Sequence, residues 1–485
     1  MWSVNRILMW GKDGEAQFYG DLKDRPIRGF SINTQTLQPG EIFIALQGTK
    51  HDGHHFVEEA FRKGAGGAMV ARSWFTEKQN KAQKNLFDSA LMILVDNPLT
   101  GFQSLAKWHR SAFECPIIGI TGSNGKTTTK EMLATILGRR GPVLKTEGNL
   151  NNHIGLPLSL LRLTKEHQAA VLEMGISRPG DMRVLCEIAK PTIGIITNIG
   201  AAHLQFLGDI QGVASEKGIL FETLAPGGIA IINKDDPHLL RWERGNVPCG
   251  TFSEKWTYSI GGDTDLTATE IEPNRNGIAF TLTLNRNQQG GGGKMKVVIP
   301  LLGEHQVYNA LAASSAALAL GYEFDEIRAA FREISPIPLR GEIIEWNGAT
   351  LLLDAYNANP ASMKAAIQTL AGYAALFTGH RKVAILGDML ELGSTAKVAH
   401  KEIGRKVAQS GIDKLVAVGH FRELMACGAV SEGIGKDGVV VYENLESLDL
   451  AHEIKPGDIV LIKGSRRMGM ERLLHSFCRK KVMGH

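Results

Sequence analysis

The sequence predicts an α/β fold in three domains: a small α/β N-terminal domain, a central domain with a mostly parallel sheet, and a C-terminal Rossmann-like domain. Three observations carry this expectation. The chain has 485 residues, and at roughly 100–200 residues per domain that makes about three. Near-continuous apolar runs alternate with segments of helical spacing, as parallel strands covered on both faces require. Glycine is in excess, 55 of 485 residues against a typical ~7%, so many turns bring backbone close to backbone or to ligand.

The elements follow in order. GEIFIALQG (40–48) reads as a strand bounded by glycines, and HHFVEEAFRKGAGGAMVA as helix, glycine turn and strand. ALMILVDNPLTGFQSLAKWHRSAF supplies another apolar strand, a Pro/Thr turn and a helix. CPIIGIT (115–121) opens a new unit, so the first domain is placed at 1–110. AAVLEMG (169–175), IGIITNIG (193–200) and GIAIIN (228–233) continue a parallel pattern. Between 251 and 300 the character changes to alternation around NQQGGGGK, a β-hairpin with a flexible tip. EHQVYNALAASSAALALG is a helix rich in small residues, and REISPIPLRGEIIEW has linker chemistry. The second domain is therefore placed at 111–336 and the third at 337–485. In the third, TLLLDAY, KVAILGDM, KLVAVG and DIVLIKGS end in polar or glycine residues, and in open α/β sheets ligands gather at such strand ends.

Hydrophobic residues make up 43% and charged residues 21%, ordinary for a globular chain. The net charge of +4 lacks the basic excess that phosphate neutralisation on nucleic acid demands, so no nucleic-acid partner is expected. Five scattered cysteines, without a CxxC pair, argue against a disulfide framework or a cysteine zinc site and suit reduced thiols. Arg6 and Lys12 interrupt the N-terminus before a signal-peptide core forms. No run approaches the ~18 apolar residues of a membrane span. A soluble cytoplasmic protein is expected, with no membrane insertion.

The sharpest chemical signal is IIGITGSNGKTTTKEML, a strand, a glycine turn and a helix. Gly122 and Gly125, flanking Ser123 and Asn124, let backbone N–H groups close round phosphate oxygens, and the helix start adds positive potential. Lys126 supplies a cation for the outer phosphates, and Thr127, followed by Thr128, offers a hydroxyl to Mg²⁺. Strict Walker spacing would need glycine at Ile120, so this loop is a shortened G-x-x-G-K-T variant. The second domain thus reads as a P-loop ATPase. Glu173, closing its strand, is a carboxylate suited to Mg²⁺. His203 follows the next strand, where a histidine more often caps a helix. Lys217 lies beside Glu216 in SEKGILFETL, and by itself reads as a solvated helix face. HDGHH (51–55) matches no zinc spacing and reads as a polar loop. Asp354, Asn357 and Asn359 in DAYNANP are ligand or turn residues in equal measure. Lys463, Ser465 and Arg466 form a basic glycine turn suited to an anionic ligand group.

Together these segments resemble the Mur ligases, ATP-dependent amide-forming enzymes of peptidoglycan synthesis. The resemblance runs from about Ser31 to Glu471. It is carried by TLQPGEIFIALQG, DGHHFVEEA, GITGSNGKTTTKEML, EGNLNNHIGLPLSLL, EMGISRPGDM, TNIGAAHLQFLG, GEHQVYNALAA, LDAYNANPASMKAA, AILGDMLELG and IKGSRRMGME. The loop alone fits the whole superfamily, whereas LNNHIGLPLSLL with DAYNANPASM selects the member that joins D-alanyl-D-alanine to UDP-N-acetylmuramoyl-tripeptide. The resemblance implies a first domain for the uridine diphosphate end, an ATPase second domain and a third domain for the dipeptide. It implies ATP and two Mg²⁺ sites, with Lys126, Lys217 and His203 catalytic and Thr127, Glu173, His203 and Lys217 near metal, Lys217 as a carbamate. It further implies Asn309 near adenine, Arg340 and Asp354 near phosphates and ribose, and Thr146, Asn149 and Asn152 facing the muramoyl-peptide. A monomer is expected.

Two places depart from the family pattern: the triplet Asn33, Thr34 and Gln35 stands where DSR is expected, of which Thr34 keeps a hydroxyl for the diphosphate, and Ile219 stands where a glutamate is common. A diaminopimelate- or lysine-adding relative should carry a DNPR-like segment, which is absent, and a folylpolyglutamate synthase would lack DGHHFVEEA. A nucleotide-dependent switch, the rival of a different class, would need far fewer polar strand ends.

Overall fold

A computed structural model describes residues 2–12, 14–79, 90–243, 252–286 and 293–474. Three principal sheets organise them. The first has the order Gln17–Gly20, Leu91–Val95, Gly67–Ala71, Glu41–Ile44, Gly29–Ser31, parallel except for the Gln17–Gly20 edge. The N-terminal segment, legible only as lacking a signal core, folds as the helix Val4–Gly11. Its cap Ser3 accepts from the Arg6 N–H, and Val4, Ile7 and Trp10 are buried. The helix Pro98–Arg110 begins with proline after the Asn97 cap, where a missing N–H costs nothing. Phe102, Leu105, Ala106 and His109, at three- and four-residue spacing, form its buried stripe.

The second sheet has nine strands in the order Lys294–Ile299, Gly277–Leu284, Leu266–Asn274, Glu254–Ile260, Ile229–Asn233, Ile193–Ile196, Ile117–Thr121, Ala169–Glu173, Val143–Lys145. Chain order reverses beside Ile117–Thr121: Ala169–Glu173 lies on one flank and Ile193–Ile196 on the other, both parallel to it. Such a switch point opens a crevice at the carboxyl ends of the strands. The helices Lys126–Leu137 and His305–Ala319 pack together over one face. The expected hairpin exists as Gly277–Leu284 antiparallel to Lys294–Ile299, and its tip at 287–292 lies outside the described residues.

The third sheet has the order Glu342–Trp346, Ala349–Asp354, Ile459–Lys463, Lys382–Leu386, Lys414–Val418, Val439–Tyr442. The four anticipated strands are mutually parallel. Two others were not anticipated. Val439–Tyr442 adds a parallel edge. Glu342–Trp346 pairs antiparallel with Ala349–Asp354, so the segment expected to be linker throughout is linker only as far as Gly341. Its GEIIEW end alternates exposed and half-buried positions, as a one-faced edge strand does.

One apolar cluster runs continuously from Trp2, Ile7 and Trp10 through Phe102 and Leu105 to Leu160, Leu161 and Leu185, joining the first sheet's unit to the second's. The third sheet has separate clusters on its two faces. Cys115, Cys186 and Cys427 are free thiols, and burial pushes the Cys186 thiol up to about 12. Cys249 and Cys478 lie outside the described residues. Among the described residues no helix is long and apolar enough to cross a membrane.

Candidate active site

The glycine turn after Ile117–Thr121 is held from both sides. Gly122 has φ 148° and Gly125 φ 84°, backbone that side chains disfavour. A Cβ on Gly122 would lie 1.9 Å from Thr197 Oγ1, and one on Gly125 would lie 2.2 Å from Asn309 Oδ1. Both glycines are therefore demanded by packing as well as by dihedral angle. The Ser123 N–H donates to the Asn198 carbonyl (3.0 Å), and the Asn124 N–H to Asn198 Oδ1 (3.0 Å). The Lys126 ammonium turns back to donate to the Gly122 carbonyl at 2.9 Å. Burial lowers its pKa, Glu173 pulls the other way and Arg340 adds to the lowering.

Thr127 Oγ1 donates to Glu173 Oε2 at 2.8 Å, and Asn151 Nδ2 donates to Glu173 Oε1 at 2.8 Å. Both carboxylate oxygens are thus engaged at the end of a buried strand. Asn151 was missed by sequence reasoning, which chose its neighbours Asn149 and Asn152. Its only signal was membership of the same asparagine-rich loop.

Lys217, a solvated-face residue when its segment is read alone, is 2% exposed, because the helix Ile210–Glu222 turns that side inward. Its ammonium donates to the Gly122 carbonyl at 3.1 Å, the same oxygen that Lys126 uses. Burial first, and Lys126 second, push its pKa well below the ordinary lysine value. Neighbouring Glu216 is occupied elsewhere, accepting from the N–H groups of Gly180 (3.0 Å) and Met182 (2.8 Å). His203 occupies the residue before a short helix with φ 54°, its side chain making no cap bond. It faces Glu391 Oε2 of the third unit at 3.6 Å. Burial, and then Lys217, lower its pKa.

The third unit reaches into the same place. Arg340 stacks over the Tyr356 ring (4.0 Å) and donates through Nη2 to Thr127 Oγ1 at 2.9 Å. Asn359 caps the helix Pro360–Ala374 and donates through Nδ2 to Asn124 Oδ1 at 2.8 Å. Lys463, 2% exposed, donates to Asp354 Oδ2 (2.7 Å) and to the Asn357 carbonyl (2.9 Å). A cleft of about 510 Å³ lies between the units. It is lined by Gly122 to Thr128, Asn151, Asn152, Glu173, His203, Lys217, Asn309, Arg340, Asp354, Asn357 and Lys463. On the far side of Asn124 and Gly125 a second hollow of about 350 Å³ is lined by Asn198, Asn233, Asp235, His238, Tyr308 and Asn309. His305 lines both, and sequence reasoning singled out neither it nor Asn198.

Six candidates lie outside the main cleft's lining. Thr34 sits in the first unit, its carbonyl accepting from Lys63 Nζ at 2.9 Å. Thr146 is wholly buried with its hydroxyl on the Glu173 N–H (3.0 Å), which turns it away from a ligand. Asn149 is exposed. Asn359 meets the loop directly instead of lining the cavity. Ser465 is buried and accepts from the Leu390 N–H at 2.9 Å, while the exposed Arg466 pairs with Glu471. In the HDGHH loop, buried His54 spends both ring nitrogens within the protein, on Asp52 Oδ1 (2.6 Å) and on the Ala71 N–H (3.0 Å).

A glycine loop at a sheet switch point, facing a carboxylate, the lysines Lys126 and Lys217 and the polar strand ends of the third unit, defines a nucleotide-dependent ligase of the Mur type. Residues 120–317 match the Mur ligase middle domain and residues 339–466 the Mur ligase glutamate ligase domain. The chain is 36% identical to the UDP-N-acetylmuramoyl-tripeptide–D-alanyl-D-alanine ligase of Bacillus subtilis, over 92% of each. It is 34% identical to the Escherichia coli enzyme of the same name, over 94% of this chain and 95% of that one. Among solved structures it superposes on MurF from Acinetobacter baumannii with a TM-score of 0.83 at 30% identity, covering 98% of each chain. It superposes on MurF from Thermotoga maritima in complex with ADP with a TM-score of 0.76 at 29% identity, covering 93% of this chain and 97% of that one. The chain belongs to the Mur ligase family and is an ATP-dependent peptide ligase.

Proposed function

We propose that this enzyme joins D-alanyl-D-alanine to UDP-N-acetylmuramoyl-tripeptide, with hydrolysis of ATP, through an acyl-phosphate intermediate. The observation that carries the reading is the cleft that the phosphate loop and the third unit's strand ends line together. Relatives of that name match nearly the whole chain. The first unit, with Thr34, would hold the uridine diphosphate end, and the hollow beside Asn309 would take the adenine. Asn149 and Asn152 face the muramoyl-peptide, and Asn357, Asn359 and Lys463, with Ser465 and Arg466 behind them, lie on the dipeptide side. The protein acts as a monomer in the cytoplasm, a compartment its free thiols suit.

The substrate carboxylate attacks the γ-phosphorus of ATP, the bond to the β-phosphate oxygen breaks and ADP leaves, giving the acyl phosphate. The dipeptide amine then adds to the acyl carbonyl, loses its proton to solvent, and the tetrahedral intermediate expels inorganic phosphate. Both partners of the first step are anionic, so positive charge must be fixed where they meet. Lys126 supplies part of it from the loop, and Arg340 from across the cleft. Thr127 and Glu173, as oxygen ligands, would hold one Mg²⁺, and His203 with a carbamylated Lys217 would help to hold a second. The cations would neutralise phosphate charge. A neutral amine is the form that adds to CO₂, and burial beside Lys126 favours the neutral form of Lys217. Acyl phosphates hydrolyse, so burial of the cleft between two units protects the intermediate.

The test is an assay with ATP, Mg²⁺, D-alanyl-D-alanine and UDP-muramoyl-tripeptides ending in diaminopimelate or lysine, with product mass measured. Phosphate release without amide product, or without need of the dipeptide, would reject the reading. Lys126→Ala should cut ligation by about a thousandfold while leaving the fold intact, and retention of more than a few per cent of activity would contradict its role. Lys217→Ala should lose activity and partly regain it with short-chain carboxylates. Full activity without them, or no recovery, would remove the carbamate.

A further inference from the structure

Two residues outside the cleft form a rigid bracket behind Glu173. Lys130 lies on the helix that follows the phosphate loop and is 1% exposed, an expensive place for an ammonium. It is held there by the Thr146 carbonyl at 2.6 Å and by Glu131 Oε1 at 2.9 Å. Thr146 is 0% exposed and directly follows the strand Val143–Lys145. Its N–H donates to the Val171 carbonyl at 3.1 Å, and its hydroxyl accepts from the Glu173 N–H at 3.0 Å. A side chain therefore replaces the strand carbonyl that would otherwise satisfy Glu173 at the end of its ladder.

We propose that Lys130, acting through Thr146, is a positioning element that fixes the main chain of Glu173 so that its carboxylate presents both oxygens to the cleft. The path is short and its first two links are buried: the ammonium donates to the Thr146 carbonyl, the Glu173 N–H donates to the Thr146 hydroxyl, and the Glu173 carboxylate then meets Thr127 and Asn151 at the cleft. The ammonium keeps the Thr146 peptide from rotating, because a buried lysine that lost that acceptor would keep only the Glu131 carboxylate and leave a donor unpaired. This assigns Thr146 a role behind the carboxylate in place of a contact with the muramoyl-peptide. The inference rests on the reading of Glu173 as the cation's carboxylate.

The experiment titrates Mn²⁺ into the full-length protein holding a non-hydrolysable ATP analogue, with free Mn²⁺ followed by electron paramagnetic resonance. Changes to groups that orient a metal ligand typically cost 10–100-fold in affinity. Thr146→Val keeps the shape and removes the acceptor, so its Mn²⁺ affinity should fall about tenfold while analogue binding without divalent cation is retained. Thr146→Ser, which keeps the hydroxyl, should restore it, and Lys130→Met should reproduce the Thr146→Val loss. Mn²⁺ affinity within twofold of the parent in both Thr146→Val and Lys130→Met would overturn the proposal. If Thr146→Val does not fold, Thr146→Ala and Lys130→Met decide by the same criterion. Glu173→Gln is titrated in parallel: parent-like affinity there would reject Glu173 as a cation ligand, whereas weak binding there with tight binding in Thr146→Val rejects only the bracket.

Discussion

The central unit is fastened to its two neighbours in opposite ways. Toward the first unit the contact is a shared apolar core, and its polar groups are locked inside it. Trp2 Nε1 donates to the Leu161 carbonyl (2.8 Å) and Arg110 Nε to the Ala189 carbonyl (2.9 Å). His109 stands between Arg6 Nη2 (3.1 Å) and the Leu163 carbonyl (2.9 Å). Toward the third unit the contacts are mainly polar: Arg340 to Thr127 and Asn359 to Asn124 at the phosphate loop, His203 facing Glu391, and Tyr373 Oη donating to the Arg275 carbonyl (3.3 Å). Leu302 of the central unit is buried in the third unit's apolar cluster. A continuous apolar core resists separation because opening it exposes greasy surface, at roughly 25 cal/mol per Å². A handful of partly exposed polar contacts exchanges readily with water. The first two units are therefore expected to hold one shape, and the third to move more readily.

The largest effect expected from this contrast falls at Arg340. Arg340→Ala should lower the ligation rate about 100-fold, since it removes a cation aimed at the loop, while thermal stability barely changes. A large loss of Tm with intact catalysis would show that this boundary is structural, like the first. Next in size is a change of shape. Small-angle scattering should show compaction when an ATP analogue and the UDP-linked substrate are added together, by a hinge about the segment preceding Arg340. An unchanged radius of gyration would mean that the third unit is fixed as firmly as the first.

The smallest effect concerns the rigid boundary. Burial, opposed by the bond to the Leu163 carbonyl, lowers the His109 pKa from 6.5 to about 4. Nδ1 accepts from Arg6 and Nε2–H donates to Leu163, so the neutral ring is the form the fold requires. The stability it contributes is complete above pH 6.5 and is lost as pH falls through 4, up to about 3 kcal/mol. The Tm should fall between pH 7 and pH 4, and the fall should shrink in His109→Gln. An equal acid slope in that variant would place the sensitive group elsewhere.

The phosphate loop was legible because its chemistry is local: glycines, a lysine and a threonine in unbroken sequence, on a strand and helix whose periodicity is plain. Glu173 was legible as a strand-end carboxylate. Lys217 was legible only through the family resemblance, since the helix around it carries apolar residues on several sides and spacing alone did not reveal that the lysine turns inward. Asn151 and Asn152 are neighbours of one composition, and only the fold separates the residue that touches Glu173 from the one that caps the next helix through bonds to Ile154 and Gly155. Val439–Tyr442 escaped notice because a short half-buried edge strand has neither the length nor the apolar density of its neighbours.

By itself the sequence determined the α/β architecture, the loop and the family, because those depend on hydrophobic period and on short contiguous motifs. Only the tertiary structure decided which distant groups share the cleft, as with Arg340 beside Thr127, and which buried groups stand behind it, as with Lys130 and Thr146 behind Glu173. The physical reason is that these relations are set by packing across strands and between units, where side chains far apart along the chain compete for the same few buried acceptors.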